Sequence, residues 1–224
     1  MKKKTFYSEL AYILGVLFVA LGTALVERAD FGVSMVVAPA YIIYLKVSQV
    51  LSFFTFGMAE YLLQGVLILL ITVLVRKFRI SYFFSFITAV IYAFCLDGFI
   101  LLMDSIPFEG IIYRYACYVI GLPVTALGVA LFFKTYISPE AYELFVKEIS
   151  FFYKKDIHKF KTFYDCASCI LAIILSLVLF RKLEGIGAGT IICALINGHI
   201  ISFFSSFFDK HFIFKDKFDF RKYF

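Results

Sequence analysis

Glu60, Gln64, Asp97, Asp165 and Asn197 are polar side chains set in stretches whose neighbours are almost all apolar. An ionised carboxylate at the centre of a lipid-embedded helix costs about 2.5–3.5 kcal/mol on insertion scales, so each acid is expected to face a partner, a cavity or a proton. Glu60 is about eight residues into its apolar run, which at about 1.5 Å per residue puts it near mid-depth of a bilayer. Gln64 follows one helical turn later on the same face, within hydrogen-bonding reach. Asp165 looks shallower, because polar residues crowd its run up to Lys161, and it reads first as half of a structural pair. Asp97 lies toward the outer end of its run and Asn197 near the middle of its own. Each is followed by a glycine, Gly98 or Gly198, that lets a backbone or a ligand come close. The plainer reading of the second pair is adhesion between helices, in which polar side chains bond across an interface and small residues permit packing. A carboxylate at such depth can hold a cation, carry a proton or anchor an amine. His199 could relay a proton, although a lone histidine in a helix is more commonly a packing residue.

These residues fall into two copies of one pattern. In the first, Leu21-Gly22-Thr23-Ala24-Leu25 closes an apolar run, Ser34 opens a short stretch, Glu60 enters a second run, Arg76-Lys77 ends it, and Asp97-Gly98 lies in a third. In the second the order is Leu127-Gly128-Val129-Ala130-Leu131, Ser138, Asp165, Arg181-Lys182 and Asn197-Gly198. The offsets are 106, 104, 105, 105 and 100 residues, a drift that a few short deletions would produce. The repeats run over 6–104 and 111–208, with a basic segment at 209–224.

The elements that must position these groups are membrane helices. The chain is 62% hydrophobic and 17% charged, with mean hydropathy +0.93, a composition of polytopic membrane proteins and not of soluble enzymes. Six segments reach the length of about 20 apolar residues that a hydrocarbon core of about 30 Å requires: Phe6–Leu25, Phe53–Val75, Ser81–Met103, Ile111–Phe133, Phe163–Phe180 and Ile186–Phe207. Runs this long and uniformly apolar satisfy their backbone groups as helices, so the fold class is all-α. The 30 Phe and 15 Tyr with no Trp are as consistent with genome composition as with function.

Lys2, Lys3 and Lys4 place the N-terminus in the cytoplasm. Six spans then put Arg76, Lys77, Arg79, the Lys134-to-Lys161 connection and the tail from Lys210 inside, and the Asp104-to-Glu109 loop outside. Arg181-Lys182 is the exception. No small-residue cleavage site ends the first run, which reads as an uncleaved helix. Three spans per copy make the copies cross in opposite senses, an inverted repeat of the kind found in secondary transporters with a midplane site between the halves.

Between the first and second span of each copy lies a short segment expected to re-enter or lie at the interface. Residues 35–52, interrupted by Pro39, are not a span, since a further crossing would force Arg76, Lys77 and Arg79 outside. Ser34 and Ser138 are the expected N-caps, with Pro139 and Glu140 in the first turn after Ser138. Helix N-termini there would favour an anion, whereas the buried acids would favour a cation.

Ala29-Asp30-Phe31-Gly32-Val33-Ser34, and Gly185-Ile186-Gly187-Ala188-Gly189-Thr190 leading to Ala194-Leu195-Ile196-Asn197-Gly198, resemble the recurring signatures of the YczE/YitT-like bacterial integral membrane proteins, over nearly the whole chain. The resemblance implies a bacterial cell-membrane protein from a family widespread in Gram-positive organisms and without an established activity. Members usually carry proline directly after the serine, where this chain has Met35. The second copy has Pro139 but Lys134 and Tyr136 at the acidic and glycine positions. If the pattern built two equivalent sites, these departures leave at most one asymmetric site.

Cys166 and Cys169 form a C-x-x-C inside a membrane run, without the second pair or clustered histidines of a zinc site, and Cys95, Cys117 and Cys193 read as packing residues. No phosphate loop, H-E-x-x-H or nucleophile elbow is present. No cofactor and no metal are expected. The net charge of +6 lies in flanks and loops, where it sets topology and attracts anionic lipid, and does not indicate nucleic acid. Three classes follow in order: a small-molecule or ion-coupled transporter, an accessory or substrate-binding membrane subunit without transport of its own, and, least supported, an intramembrane enzyme. Membrane lipids are the expected surroundings, the ligand is unnamed, and the sequence leaves a homo-oligomer or a protein partner open.

Overall fold

The computed structural model describes residues 3–105 and 110–221; Lys2, Glu109 and 222–224, used above for topology and the tail, lie outside them. The elements in order are β1 (Lys4–Tyr7), α1 (Ser8–Ala29), α2 (Ala38–Val47), α3 (Phe56–Val75), a 3-10 turn (Ile80–Phe83) leading into α4 (Phe84–Asp104), α5 (Ile111–Phe132), α6 (Ala141–Phe152), α7 (Ile157–Phe180), α8 (Ala188–His211) and β2 (Phe212–Lys215). Six of these helices are long and apolar enough to cross a bilayer. The order long, short, long, long occurs twice. With ten residues, α2 extends about 15 Å, half a hydrocarbon core, and cannot cross it.

Local chemistry sets the ends. Thr55 caps α3, its Oγ1 accepting from the Met58 N–H at 3.3 Å. Asp156 caps α7, accepting from the N–H groups of Lys159 at 2.9 Å and His158 at 3.0 Å, and these bonds hold its carboxyl below the ordinary carboxylate range. Arg76 and Arg181, paired by the repeat, terminate α3 and α7 in the same left-handed conformation, with φ of 54° and 58°. The expected caps at Ser34 and Ser138 are not formed. α2 starts at Ala38 with Pro39 in its first turn and Val37 at the cap position, and α6 starts at Ala141 with Glu140 there. Ser34 sits one turn earlier, where its carbonyl accepts from Ala38 N. Ser138 Oγ donates to the Ser81 carbonyl at 2.9 Å while its own carbonyl accepts from Thr88 Oγ1 at 2.8 Å. Both serines thus serve the connections that precede the helices.

At the centre α1 packs on α5 along a seam of Gly15, Gly22, Gly121 and Gly128. A Cβ on Gly128 would come within 2.7 Å of Val19 N, and one on Gly121 within 2.8 Å of the Gly22 carbonyl. Around this pair α1 packs on α4 and α5 on α8, α2 and α6 each lie between α3 and α7, and α7 packs on α8. α3 and α4 meet less closely than α7 and α8.

β1 and β2 pair in parallel, Phe6 opposite Phe214. Glu9 fixes the pair from α1, accepting from Lys217 N at 3.0 Å, Phe218 N at 2.9 Å and Tyr136 Oη at 2.9 Å. The first helix therefore starts at Ser8 and not at Phe6, and the segment expected as a tail begins as the last turn of α8 and continues as a strand. The alternating Phe212, Phe214 pattern carried that signal, but four residues are too short for periodicity to separate a strand from a helix end.

Candidate functional site

A cavity of about 670 Å³ opens between the helices, lined from every helix and from the connection after α1, within the roughly 300–1,000 Å³ of small-molecule sites. Its lining carries the carboxylates of Glu27, Asp30, Glu60, Glu140 and Glu143 against a single basic side chain, Lys161. Glu27 and Asp30 are exposed and Asp30 pairs with Arg114 at 3.0 Å. Glu140 and Glu143 are buried and Glu60 is half-buried. Tyr41, Phe56, Tyr92 and Tyr142 add aromatic walls.

Lys161 organises the buried polar groups. It is 1% exposed, and its Nζ lies 2.9 Å from Asp165 Oδ1 and 3.4 Å from Glu143 Oε1. Asn197 Nδ2 donates to Asp165 Oδ2 at 3.4 Å, so the chain Glu143–Lys161–Asp165–Asn197 ties α6, α7 and α8 together. Two carboxylates already share this ammonium. Glu60 and Glu140 form no ion pair among the described residues, and three buried lining atoms, Glu140 Oε1, Tyr142 Oη and Asn197 Oδ1, have no hydrogen-bond partner there. The cavity thus presents acceptors and negative charge in excess.

Burial, then the neighbouring carboxylates of Glu143 and Glu60, push the Glu140 carboxyl well above its ordinary value of 4.5, against the pull of Lys161. A carboxyl whose pKa is raised on folding favours the folded state fully below its unfolded value and loses that contribution as pH rises toward the folded one. Stability in detergent is therefore expected to fall as pH rises above about 4.5. Glu140→Gln should match wild type at pH 4.5 and melt about 2–8 °C higher at pH 8, taking roughly 1–2 kcal/mol for the charge removed and about 2–4 °C per kcal/mol; identical melting curves at both pH values would show that the carboxyl is not protonated in the fold.

Of the residues singled out from the sequence, Glu60, Asn197 and Ser34 line the cavity. Glu60 is the fifth residue of α3 and so lies one turn from the helix start, not near its middle, because α3 begins at Phe56. Asp165 is the ninth residue of α7, fully buried, and stands behind Lys161. Gln64 is buried but outside the cavity lining, its Oε1 without a partner. Asp97 is exposed on α4 and is not brought to Asn197. His199 is exposed on α8 outside the lining, so it relays nothing to this site. Sequence reasoning missed Lys161, Glu140 and Glu143. The i, i+4 spacing of Lys161 and Asp165 was the available signal for a buried pair.

The two signature stretches form one knot at the end of α1. Gly189 N donates to the Phe31 carbonyl at 2.9 Å, Val33 N to the Gly185 carbonyl at 3.0 Å, and Thr190 Oγ1 to the Val33 carbonyl at 2.7 Å. Gly32 at φ 109° and Gly185 at φ 69° adopt backbone that side chains rarely take. The knot seats the chain from Gly32 to Val37 along the cavity.

Six bilayer-length helices, two short ones and a central acidic cavity define a polytopic membrane-type bundle. The chain belongs to the family of unknown function DUF6198, whose model matches residues 6–206. It is similar to the uncharacterized protein YyaS of Bacillus subtilis (strain 168), 24% identical over 210 residues that cover 92% of this chain and 96% of that protein. No solved structure matches it.

Proposed function

We propose that the protein is a transporter of a small organic cation in the bacterial cell membrane, with the cavity between two inverted three-helix repeats as its binding site. The observation that carries this reading is the pair Glu60 and Glu140, which share the cavity with Tyr92, Tyr142 and Phe56 and form no ion pair among the described residues. An ammonium group satisfies carboxylates and unpartnered oxygens with its N–H donors and is attracted to aromatic faces. An anion would meet the acidic side chains of Glu27, Glu60 and Glu140 and a lysine already engaged by Asp165 and Glu143. The repeat is supported by the packing: exchanging α1–α4 for α5–α8 turns the contact of α1 with α4 into that of α5 with α8, and that of α2 with α7 into that of α6 with α3. In this reading, as lysine and arginine bias favours, both termini and the end bearing β1 and β2 face the cytoplasm, with Glu27 and Asp30 at the outer end. The YczE/YitT-like resemblance belongs to this reading through the knot that its signature residues build.

Melting of the purified protein with methylammonium, tetramethylammonium, choline and spermidine tests it. A cation at about 100 times Kd adds about 2.7 kcal/mol, or roughly 5–10 °C, and Glu60→Gln is expected to abolish the gain. A flat panel with an unaltered Glu60→Gln baseline would sink the reading. Binding without flux in proteoliposomes would instead make the protein an accessory, substrate-binding subunit.

A further inference from the structure

The two repeats pack alike except in one place, and the difference falls on the residues that first drew attention. In the second repeat α8 closes on α7. The Cβ position of Gly198 lies 3.1 Å from the His158 carbonyl and against Thr162, Asn197 reaches Asp165, and Lys161 neutralises Asp165 from one turn earlier at 2.9 Å. In the first repeat the corresponding closure is absent. Gly98 has nothing within 4 Å of its Cβ position, and that of Gly57 meets only Thr55 Oγ1 at 3.9 Å. α4 buries Ser85, Thr88 and Ala89 near its start and none of its later residues, so its second half stands off α3, the two helices meeting through rings such as Tyr61 and Phe86 with centroids 6.5 Å apart.

The offsets between the copies say what closure would join. Gly98 corresponds to Gly198 and Asp97 to Asn197. The 105-residue offset that matches Glu60 to Asp165 also matches Gly57 to Thr162 and Phe56 to Lys161. We infer that α4 is a gate whose second half swings onto α3, seating Gly98 against Gly57 and setting Asp97 beside Glu60 as a further carboxylate on the bound cation.

The inference rests on the cation-transport reading and adds its coupling. In the closed second repeat the positive charge is built in, as the Lys161 ammonium. Its place in the first repeat is taken by Phe56, and Asn197 is replaced there by an acid. Closing α4 therefore brings two carboxylates together with no cation from the protein, a juxtaposition that like charge opposes. The substrate's ammonium supplies what Lys161 supplies in the other half, so the gate shuts on a loaded site and stays open on an empty one. The lining residues Glu27 and Asp30 are exposed at the end of α1 whereas α8 is packed onto α7, the kind of asymmetry an alternating-access cycle exchanges.

Spin labels at Leu62→Cys on α3 and Leu101→Cys on α4, both more than half exposed, would report the gate in a background with Cys95, Cys117, Cys166, Cys169 and Cys193 replaced by alanine. In bilayer nanodiscs without ligand, the otherwise wild-type protein is expected to show one long distance. Asp97→Asn, which copies Asn197, and Phe56→Lys, which copies Lys161, should each raise a shorter-distance population at least severalfold. Asp97 is exposed, so its replacement leaves the core intact. An unchanged distance distribution in both variants overturns the gate. Because no ligand is used, a shift here with a flat ammonium panel would keep the gate and discard the substrate reading, and the reverse result would do the opposite.

Discussion

Lys161→Met is expected to cost about 3–5 kcal/mol of stability, lowering the melting temperature of the purified protein by about 10 °C or more. The lysine is 1% exposed, and its ammonium lies 2.9 Å from Asp165, itself 0% exposed, and 3.4 Å from Glu143. Removing it strands a carboxylate in the core between α7 and α8, and the cost comes mainly from that stranded charge, not from the attraction lost. The double replacement Lys161→Met with Asp165→Leu removes the closest pair and should recover part of the loss, since a buried ion pair replaced by apolar groups of similar size is commonly neutral in stability, while Glu143 is still left without its ammonium. A single variant that melts within about 1 °C of wild type would mean that water or another cation reaches Asp165.

Gly22→Leu is the second large effect. The Cβ position of Gly22 lies against Thr125 and 2.7 Å from the Gly121 carbonyl, so a side chain there must push α1 off α5, the central pair of the bundle. Forcing bulk into such a seam costs about 1–3 kcal/mol and more where backbone blocks the space, and in lipid this close packing is itself the main attraction between helices. Gly22→Ala should lose part of the stability and Gly22→Leu about 3 kcal/mol or more, read as melting temperature and as yield of monodisperse protein. Gly65→Ala, whose Cβ meets nothing within 4 Å, is the control, and should gain up to about 1 kcal/mol through helix propensity. Equal losses at Gly22 and Gly65 would contradict the packing argument.

Much of the architecture is legible in the sequence. Apolar length marked the spans because a bilayer imposes it, and the six runs coincide with α1, α3, α4, α5, α7 and α8 to within a few residues except at α7. That helix extends back to Ile157 through His158, Lys159 and Lys161, polar residues that end a hydropathy run but not a helix. The same rule hid the site. Lys161 counts against a span by composition, whereas in the fold it is the ammonium that lets Asp165 be buried. Glu140 and Glu143 lie in a short amphipathic segment that reads as surface, and only the packing of α6 between α3 and α7 turns them inward. Glu60 and Asn197 were legible as isolated polar residues in long apolar runs. Asp97 was legible in the same way, yet no partner for it could be read, because its correspondence to Asn197 gains meaning only when one half is seen closed and the other open.

The pairing of residues 4–7 with 212–215 orders events during synthesis. At about 5–20 residues per second, β1 waits roughly 10–40 s between leaving the ribosome and meeting its partner, through the insertion of every intervening helix. A chain stopped before Phe212 can hold all six spans in the membrane and still leave the Glu9 carboxylate without the amides of Lys217 and Phe218. The ladder therefore closes only after the sixth long helix has been made, and a protease that samples this end of the bundle would meet an unpaired strand in chains stopped earlier and a fastened one once Phe212–Lys215 has paired.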